Sequence, residues 1–596
     1  MNGGVDEALD DAVQLRRAGP GERRQAMALL WRAARPDGRH VTGATFWLAV
    51  AGLLEAAGPL FGKQFIDAYL LPRALDWTTM ALLIAGYLLT GIAASLLRYV
   101  QLVRLAGLAT RSVLRLRESV YAHVLRLPMA FFDRAITGQL VSRITNDTEA
   151  VKRLYTQVLF EVLVGLTVLF GVIVAMLWLD WRLMLLVLVL VPATIGIVWG
   201  YQRLSAEPVA RARALRSDIN ARVAEGIAGM TVLQAMGAVP RFCARFADTN
   251  GAHYVARMGE VRANAWLLRP ALDFLNILLI VVMVAAVGTQ RMEGVEAGLL
   301  YAFIAYVARI VEPMIQITMQ FSTLQQSVIA AARANALLQE PAPPPVVHDG
   351  RIEQGRLRLA DMTFGYDPAR PVLHDLSLEI PAGAFIGIVG HTGSGKSTLL
   401  SLLLRFYVPQ AGRIDIDGIP LAGVGDAHFR AAVGLVPQEP FLLAASAREN
   451  IDMGRGLSDD AVVTAARAAR AHEFIVQLEA GYDTPLGEGG ARLSAGQKQL
   501  IAVARALAGR PRILFLDEAT SRIDSETEQR VQEALTELHG ATTVIAIAHR
   551  LSTIRAADRI VVLNHGRIAE EGTHEALMAI DGGIYQRLYL LQQIGD

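Results

Sequence analysis

Residues 43–70, 77–103, 156–178, 183–203, 264–288 and 296–320 form six apolar segments, most of them holding some 20 predominantly apolar residues. A helix of ~20 residues crosses roughly 30 Å of hydrocarbon. The spacing therefore predicts six membrane-spanning helices, and this constrains the chain before any motif is considered. Composition agrees. Of 596 residues, 53 % are hydrophobic and 19 % charged, with mean hydropathy +0.35, as suits a large lipid-facing part and not an ordinary soluble enzyme. A net charge of +1 excludes, on bulk electrostatics, a nucleic-acid partner. The one cysteine, Cys243, cannot form a disulfide within the chain; in its Arg-rich helical stretch it reads as a packing residue.

Connections between the segments alternate in length. Residues 71–76, 179–182 and 289–295 are short and carry few basic residues, whereas 104–155 and 204–263 are long and rich in arginine, including Arg111, Arg115, Arg117, Arg211, Arg213 and Arg222. The excess of positive charge on cytoplasmic loops places the long pieces and both termini in the cytoplasm of a multi-pass protein of the cytoplasmic membrane. The first forty residues are charged and lack the apolar core of a signal peptide. Within them, Glu22 to Ala34 can form an amphipathic elbow helix with Met27, Leu30 and Trp31 on one face. Arg111 to Leu127 and Ala212 to Met236 have helical apolar spacing, so the membrane helices are expected to continue into the cytoplasm and turn back there. Pro128 to Asp133 and Thr137 to Leu140 mark the first turn; Glu225 to Gly229 belongs to the second excursion. Glu55, Glu161, Arg269, Asp273, Arg309 and Glu312 fall in or beside spans, where charges are costly and face a cavity or a partner. Asp273, Arg309 and Glu312 are candidates for a polar patch in a translocation cavity. The other reading is pairing inside the bundle, for which Arg269–Asp273 and Arg309–Glu312 have i,i+4 and i,i+3 spacing.

After the stiff linker Gln339 to Pro345 the pattern changes to short apolar strands separated by turns and helices, an α/β domain with a largely parallel core. The boundaries read as an N-terminal segment 1–40, a membrane domain 41–335, a linker 336–355 and a nucleotide-binding domain 356–596. Gly390, Thr392, Gly393, Ser394, Gly395, Lys396, Ser397 and Thr398, with His391, fit the phosphate-cradling pattern G-x-x-x-x-G-K-[ST]. The strand-like run Phe385 to Val389 precedes it and a helical run follows. Glycines let successive amides turn to one phosphate chain, and the helix N-terminus adds partial positive charge. Lys396 would reach the β- and γ-phosphates, and Ser397 would ligate Mg²⁺. The apolar strand Ile513 to Leu516 ends in Asp517 and Glu518: one to hold Mg²⁺ through its coordination shell, the other to orient and polarise water.

In these motifs the C-terminal half resembles the ATPase domain of an ABC transporter. Leu493, Ser494, Ala495, Gly496 and Gln497 resemble the signature L-S-G-G-Q; Gln438 matches the Q-loop, Tyr366 the aromatic that stacks on adenine, and Gly487, Glu488 and Gly489 the exporter X-loop. Ser521 to Asp524 sits at the D-loop, with Asp524 as its acid, and His549 matches the switch histidine. The membrane half resembles a type-I exporter domain, and the likeness covers about residues 22 to 590.

The resemblance implies an ATP- and Mg²⁺-dependent ATPase coupled to export of a hydrophobic or amphipathic compound. Lys396, Gln438, Glu518 and His549 would act catalytically, and Gln438 would join Ser397 and Asp517 around Mg²⁺. With one membrane domain and one ATPase domain the chain is a half-transporter, so its signature would cap ATP held by a second half-transporter. Glu518 and His549 match the family pattern, while Ala495 and the Ser-Arg-Ile-Asp D-loop depart from it. These departures favour a heterodimer over a homodimer. An importer on the exporter scaffold, or an ATP-gated channel or sensor, is the alternative; a soluble ABC ATPase is at odds with the six spans.

Overall fold

The computed structural model describes residues 20–72, 76–288, 297–343, 346, 350–518, 525–548 and 550–595. The chain divides into two compact units, Met1–Leu127 with Ala135–Ala342, and Pro128–Arg134 with Pro343–Asp596.

The first unit is helical. Its principal helices are α1 (Pro20–Ala34), α2 (Gly38–Ala56), α3 (Gly58–Phe65), α4 (Trp77–Val124), α5 (Phe160–Leu179), α6 (Trp181–Leu188), α7 (Leu190–Ala228), α8 (Val239–Ala263), α9 (Arg269–Gly288) and α10 (Ala297–Gln339). At ~1.5 Å per residue, the 48 residues of α4 extend about 72 Å, far more than one hydrocarbon thickness. The expected continuation of spans beyond the membrane is thus present in one unbroken helix. Five helical stretches among the described residues are long and apolar enough to cross a bilayer: Arg24–Leu70, Trp77–Val124, Thr137–Leu179, Val239–Ala285 and Ala297–Gln339. The other expected span, 183–203, is divided between α6 and α7 at Val189. Pro192 lacks the N–H that would bond the Leu188 carbonyl, which accounts for the break. The expected continuous helix 212–236 is likewise interrupted, at Gly229.

Small residues let α2 and α5 approach closely. A Cβ on Gly52 would lie 2.9 Å from the Thr167 carbonyl oxygen, and one on Gly171 would lie 2.9 Å from the Gly52 carbonyl oxygen. The apolar core of the unit gathers Met176, Leu183, Met283, Phe303 and Tyr306. Outside the apolar segments, Arg333 clamps buried Asp147 through both carboxylate oxygens, and Arg115 bonds Asp37 at 2.6 Å and the Ala33 carbonyl at 2.9 Å. The segment expected to form an elbow helix lies in α1. Ala26 and Leu30 are buried, whereas Met27 and Trp31 are 53 % and 71 % exposed. Cys243 is exposed on α8 instead of packed.

The second unit holds two sheets. One is antiparallel, with β1 (Leu357–Phe364), β2 (Leu373–Ile380), β4 (Ala411–Ile416) and β5 (Ile419–Pro420) in the order β2-β1-β4-β5; the other is ordered β10-β9-β3-β8-β7-β6. Strands β3 (Phe385–Val389), β6 (Val433–Val436), β7 (Ile513–Asp517), β8 (Thr543–Ile547) and β9 (Arg559–Asn564) pair in parallel; β10 (Arg567–Gly572) adds antiparallel to β9. β3 and β8 are buried at every residue, as continuous apolar runs in a two-sided sheet must be. The register aligns Ile388 and Asp517 with Ile547, so three strands end along one edge, where ligands of such sheets bind.

Asp417 anchors the chain entering this unit. Its carboxylate accepts from the amides of Glu353, Gln354, Gly355 and Arg356 at 2.8, 2.9, 3.1 and 2.8 Å. Burial pushes its carboxyl up, but the four amides prevail and hold it below the usual carboxylate range. With the folded value below the unfolded one of about 3.9, the stabilisation is complete above that value and lost as pH falls through the lower folded pKa. Asp417→Asn is expected to lower the denaturation midpoint at neutral pH. The gap between variant and parent should close progressively below about pH 4, as read by chemical denaturation at a series of pH values.

Candidate functional site

The P-loop leaves β3 at Gly390 and enters α11 (Lys396–Leu403). Three of its glycines have positive φ: Gly390 at 155°, Gly393 at 83° and Gly395 at 103°. An added Cβ at Gly393 would meet nothing within 4 Å, so this side of the loop is open. Thr392 and Ser397 are exposed on the loop, while Ser394 and Thr398 are buried. Among the described residues the hydroxyl of Ser394 has no hydrogen-bond partner. Lys396 folds back, its Nζ donating to the carbonyls of Gly390 and His391 at 2.7 and 3.1 Å. Burial lowers its pKa, and the Glu518 and Asp517 carboxylates act in the opposite direction. Burial and adjacent Glu518 push the Asp517 carboxyl up, opposed by Lys396.

These observations fit Mg²⁺ and a nucleotide phosphate chain. The first amides of α11 have no intrahelical acceptor, the open glycine side leaves space before them, and Lys396 stands at the same edge. Ser397, Asp517 and Gln438 offer only oxygen donors, as a hard divalent cation prefers. Gln438 bonds through Nε2 to Glu518 Oε2, so the Q-loop and β7 meet at this edge. Glu518 itself has φ 45°, and its amide donates to the Ile547 carbonyl at 2.9 Å.

Tyr366 is 53 % exposed, available to a flat ring, and stands edge-on to Phe364 and Tyr407. Its hydroxyl lies 3.4 Å from Thr398 Oγ1. Sequence reasoning missed two residues that hold this platform. Gln410 clasps the preceding backbone, accepting from the Gly365 amide at 2.8 Å and donating to its carbonyl at 2.7 Å. Tyr407 donates to Asp133 on the hairpin tip Pro128–Arg134; burial first, and then Asp133, pushes its hydroxyl up to about 12.

The signature begins α12 (Ala495–Ala508). Ser494 caps it, with Ser494 Oγ accepting from the Gln497 amide at 3.2 Å and Gln497 Oε1 from the Ser494 amide at 3.0 Å. Leu493 and Gly496 are buried, while Ser494 and Ala495 are exposed. The methyl of Ala495 therefore meets no packing constraint in this chain, and alanine favours the first helical turn over glycine. Further along α12, half-buried Arg505 spans to the segment after Gln438. It donates to the carbonyls of Asn450 (2.8 Å) and Phe441 (2.7 Å) and to Asn450 Oδ1 (3.0 Å), another link that no local motif announces. Asp524 and His549 lie outside the described residues. Beside the latter, Glu528 receives Arg550 and, at 2.7 Å, the hydroxyl of Ser552.

Arg309 and Glu312 do not pair as their spacing suggested. Arg309 donates to the Glu55 carbonyl at 2.7 Å, not to Glu312, which accepts from Gln316 at 2.9 Å. The cause lies in α3: Pro59 has no N–H for the Glu55 carbonyl, and the Leu60 amide turns to Ala57. α10 satisfies both freed carbonyls, with Arg309 on Glu55 and Tyr306 on Ala56. Glu55 pairs with Arg98 and Glu161 accepts from Gln320, so these two are paired within the bundle. Asp273 is exposed, and the Arg269 side chain lies outside the described residues.

Fold and site together define a P-loop ATPase domain joined in one chain to a polytopic helical membrane domain. Residues 41–314 match the family model of the ABC transporter transmembrane region, and residues 373–521 the family model described as ABC transporter. A Streptococcus pneumoniae chain named as a candidate ABC transporter ATP-binding protein, exp8, is 38 % identical over 94 % of this chain and 96 % of its own length. The ATP-dependent lipid A-core flippase of Syntrophus aciditrophicus is 34 % identical over 94 % of each. A bacterial Atm1-family ABC exporter solved with ATP bound superimposes with TM-score 0.77 at 30 % identity, covering 93 % of this chain and 98 % of that one. The chain belongs to the ABC transporter family, as an exporter half-transporter: a membrane protein that binds ATP and couples its hydrolysis to transport.

Proposed function

We propose that the chain exports a hydrophobic or amphipathic compound across the cytoplasmic membrane by alternating access, as one half of a dimer with both termini in the cytoplasm. The observation that carries this reading is the edge where β3, β7 and β8 end, which gathers Lys396, Gln438, Asp517 and Glu518 in a chain whose other half is membrane helices. When bound, Mg²⁺–ATP supplies the phosphoanhydride whose cleavage drives the cycle. Gly390, Thr392, Gly393, Ser394, Gly395 and Thr398 shape the cradle, Lys396 holds the β- and γ-phosphates, and Ser397, Asp517 and Gln438 hold the cation. Tyr366 stacks on the base. Glu518 orients the attacking water and accepts its proton, and His549 contacts the γ-phosphate side. Ser494 and Gly496, with Leu493, Ala495 and Gln497 around them, cap nucleotide held by a second half-transporter, whose signature completes the site built here. Asp524 lies at the same junction. Stronger nucleotide binding to the closed dimer shifts the membrane helices from inward- to outward-facing, and hydrolysis resets them.

The test is uptake of fluorescent amphiphiles by inside-out vesicles. ATP-dependent accumulation that is lost with Glu518→Gln is expected. Accumulation only in right-side-out vesicles would instead mean import. The departure at Ala495 supports a second, different chain as partner, and purified chain alone is then expected to turn ATP over at least tenfold more slowly than the pair. Full turnover by a clean homodimer would end that reading.

A further inference from the structure

We propose that α2, α3, α4 and α10 build a head-and-tail site for an amphiphile with an acidic head group, a carboxylate or phosphate on an alkyl chain. The proposal rests on the amphiphile-export reading above and narrows it to one charge class.

A cavity of about 180 Å³ opens between these helices, lined by Glu55, Thr90, Ser95, Arg98 and Arg309. It holds two guanidinium groups and one carboxylate. Glu55 is paired with Arg98, and among the described residues Arg309 meets no carboxylate. Arg309 uses one of its five donors on the Glu55 carbonyl. An uncompensated guanidinium inside a membrane domain is costly and calls for an anion. Its planar fork suits carboxylate or phosphate oxygens.

The cavity has room for roughly six waters at about 30 Å³ each, enough for a head group. It is smaller than the roughly 300–1,000 Å³ typical of whole drug-sized ligands. The rest of the ligand has its own place. An open groove of about 480 Å³ runs along α4 past Leu88, Ile92 and Leu96, and it shares Tyr87, Gly91 and Ser95 with the polar cavity. Leu88, Ile92 and Leu96 follow one another at i,i+4 along a single stripe of α4, and all are more than half exposed. Counted from Trp77 at ~1.5 Å per residue, Tyr87 lies about 15 Å along the helix and Arg98 about 30 Å. The cavity and the groove therefore flank the same stretch of α4, and head and tail would lie side by side along it. Two glycines keep the passage clear. At Gly91 an added Cβ would meet nothing within 4 Å, so the junction is open space. At Gly58 it would lie 3.2 Å from the Tyr87 ring and 3.7 Å from Arg309 Nη2.

The test uses the full chain in phosphatidylcholine nanodiscs, reading the concentration of amphiphile that gives half the maximal thermal stabilisation. Dodecyl phosphate is expected to act at a concentration at least tenfold lower than dodecanol or dodecyltrimethylammonium. Arg309→Gln should raise the dodecyl phosphate midpoint at least tenfold and leave that of dodecanol within twofold. Glu55→Gln, which frees Arg98, should lower the dodecyl phosphate midpoint. If Arg309→Gln does not fold, Gly91→Leu carries the test: it adds a side chain at the junction, where a Cβ meets nothing, and should raise the midpoints of both dodecyl phosphate and dodecanol. Competition by phosphatidic acid added to the disc would identify a lipid head group as the natural source, and its absence a free single-chain acid; either supports the site. Equal midpoints for the three amphiphiles overturn the proposal. So does inorganic phosphate matching dodecyl phosphate, or a shift in the same direction for Arg309→Gln and Glu55→Gln, as a purely structural ion pair would give. Vesicle uptake of neutral or cationic amphiphiles without preference for acids sinks this inference alone, whereas no ATP-dependent uptake of any amphiphile sinks the export reading.

Discussion

Glu518→Gln is expected to lower ATP turnover by about 100- to 1,000-fold while leaving nucleotide affinity nearly unchanged. The change is isosteric, so the left-handed backbone at Glu518 and its amide bond to the Ile547 carbonyl persist. What disappears is the carboxylate that can accept a proton from water. The Gln438 amide that now bonds this carboxylate retains an oxygen acceptor in the variant. At about 1.36 kcal/mol per decade, the loss corresponds to roughly 3–4 kcal/mol of barrier. Phosphate release and equilibrium binding of labelled ATP measure the two quantities separately. A variant retaining more than a tenth of parental turnover would remove Glu518 from the role of general base. Loss of binding instead would assign it to the cradle.

Gly390→Ala is expected to be the most damaging single methyl in the P-loop. Its φ of 155° is a conformation that side-chain-bearing residues rarely adopt, and the new Cβ would lie 2.2 Å from the Leu563 carbonyl oxygen and 2.6 Å from Ser394 Oγ. Leu563 belongs to buried β9, paired in parallel to β3, so its carbonyl cannot retreat without parting the sheet. Strain and overpacking together should cost about 3–5 kcal/mol and lower the unfolding midpoint of the ATPase domain by roughly 10 °C. Gly393→Ala is the control. It also has positive φ, at 83°, but a Cβ there meets nothing. Left-handed strain alone should cost about 1–2 kcal/mol. Thermal unfolding of the two variants side by side checks the difference; equal midpoints would mean that the close approach to Leu563 is unimportant.

Several elements were legible because their determinants are local in sequence. The P-loop is a strand, a run of glycines and a helix start within a dozen residues, and each part acts on its neighbours. The cap joining Ser494 and Gln497 spans three residues. β3 and β8 read as buried because every residue is apolar or small. Other features depend on residues far apart in sequence. Gln410 reaches Gly365, Arg505 reaches Phe441 and Asn450, and Tyr407 reaches Asp133. An isolated Gln, Arg or Tyr has several possible partners, and spacing does not choose among them.

Arg309 makes the same point inside the membrane domain. Its position three residues before Glu312 suggested a pair within one helix. Pro59 decided otherwise, because a carbonyl without a donor in a region that excludes water outcompetes a carboxylate able to bond Gln316. The sequence by itself determined that the chain crosses membranes, that an ATPase domain follows, and where the glycine-rich strand–loop–helix offered to phosphate lies. Hydropathy and glycine geometry act over a few residues, and a strand–loop–helix carries its own chemistry. Only the tertiary structure decided which carbonyls and carboxylates the span charges meet, where Met27 and Trp31 face, and how the Tyr366 platform is held. Those outcomes depend on which helices pack together and on which backbone groups each break leaves unpaired.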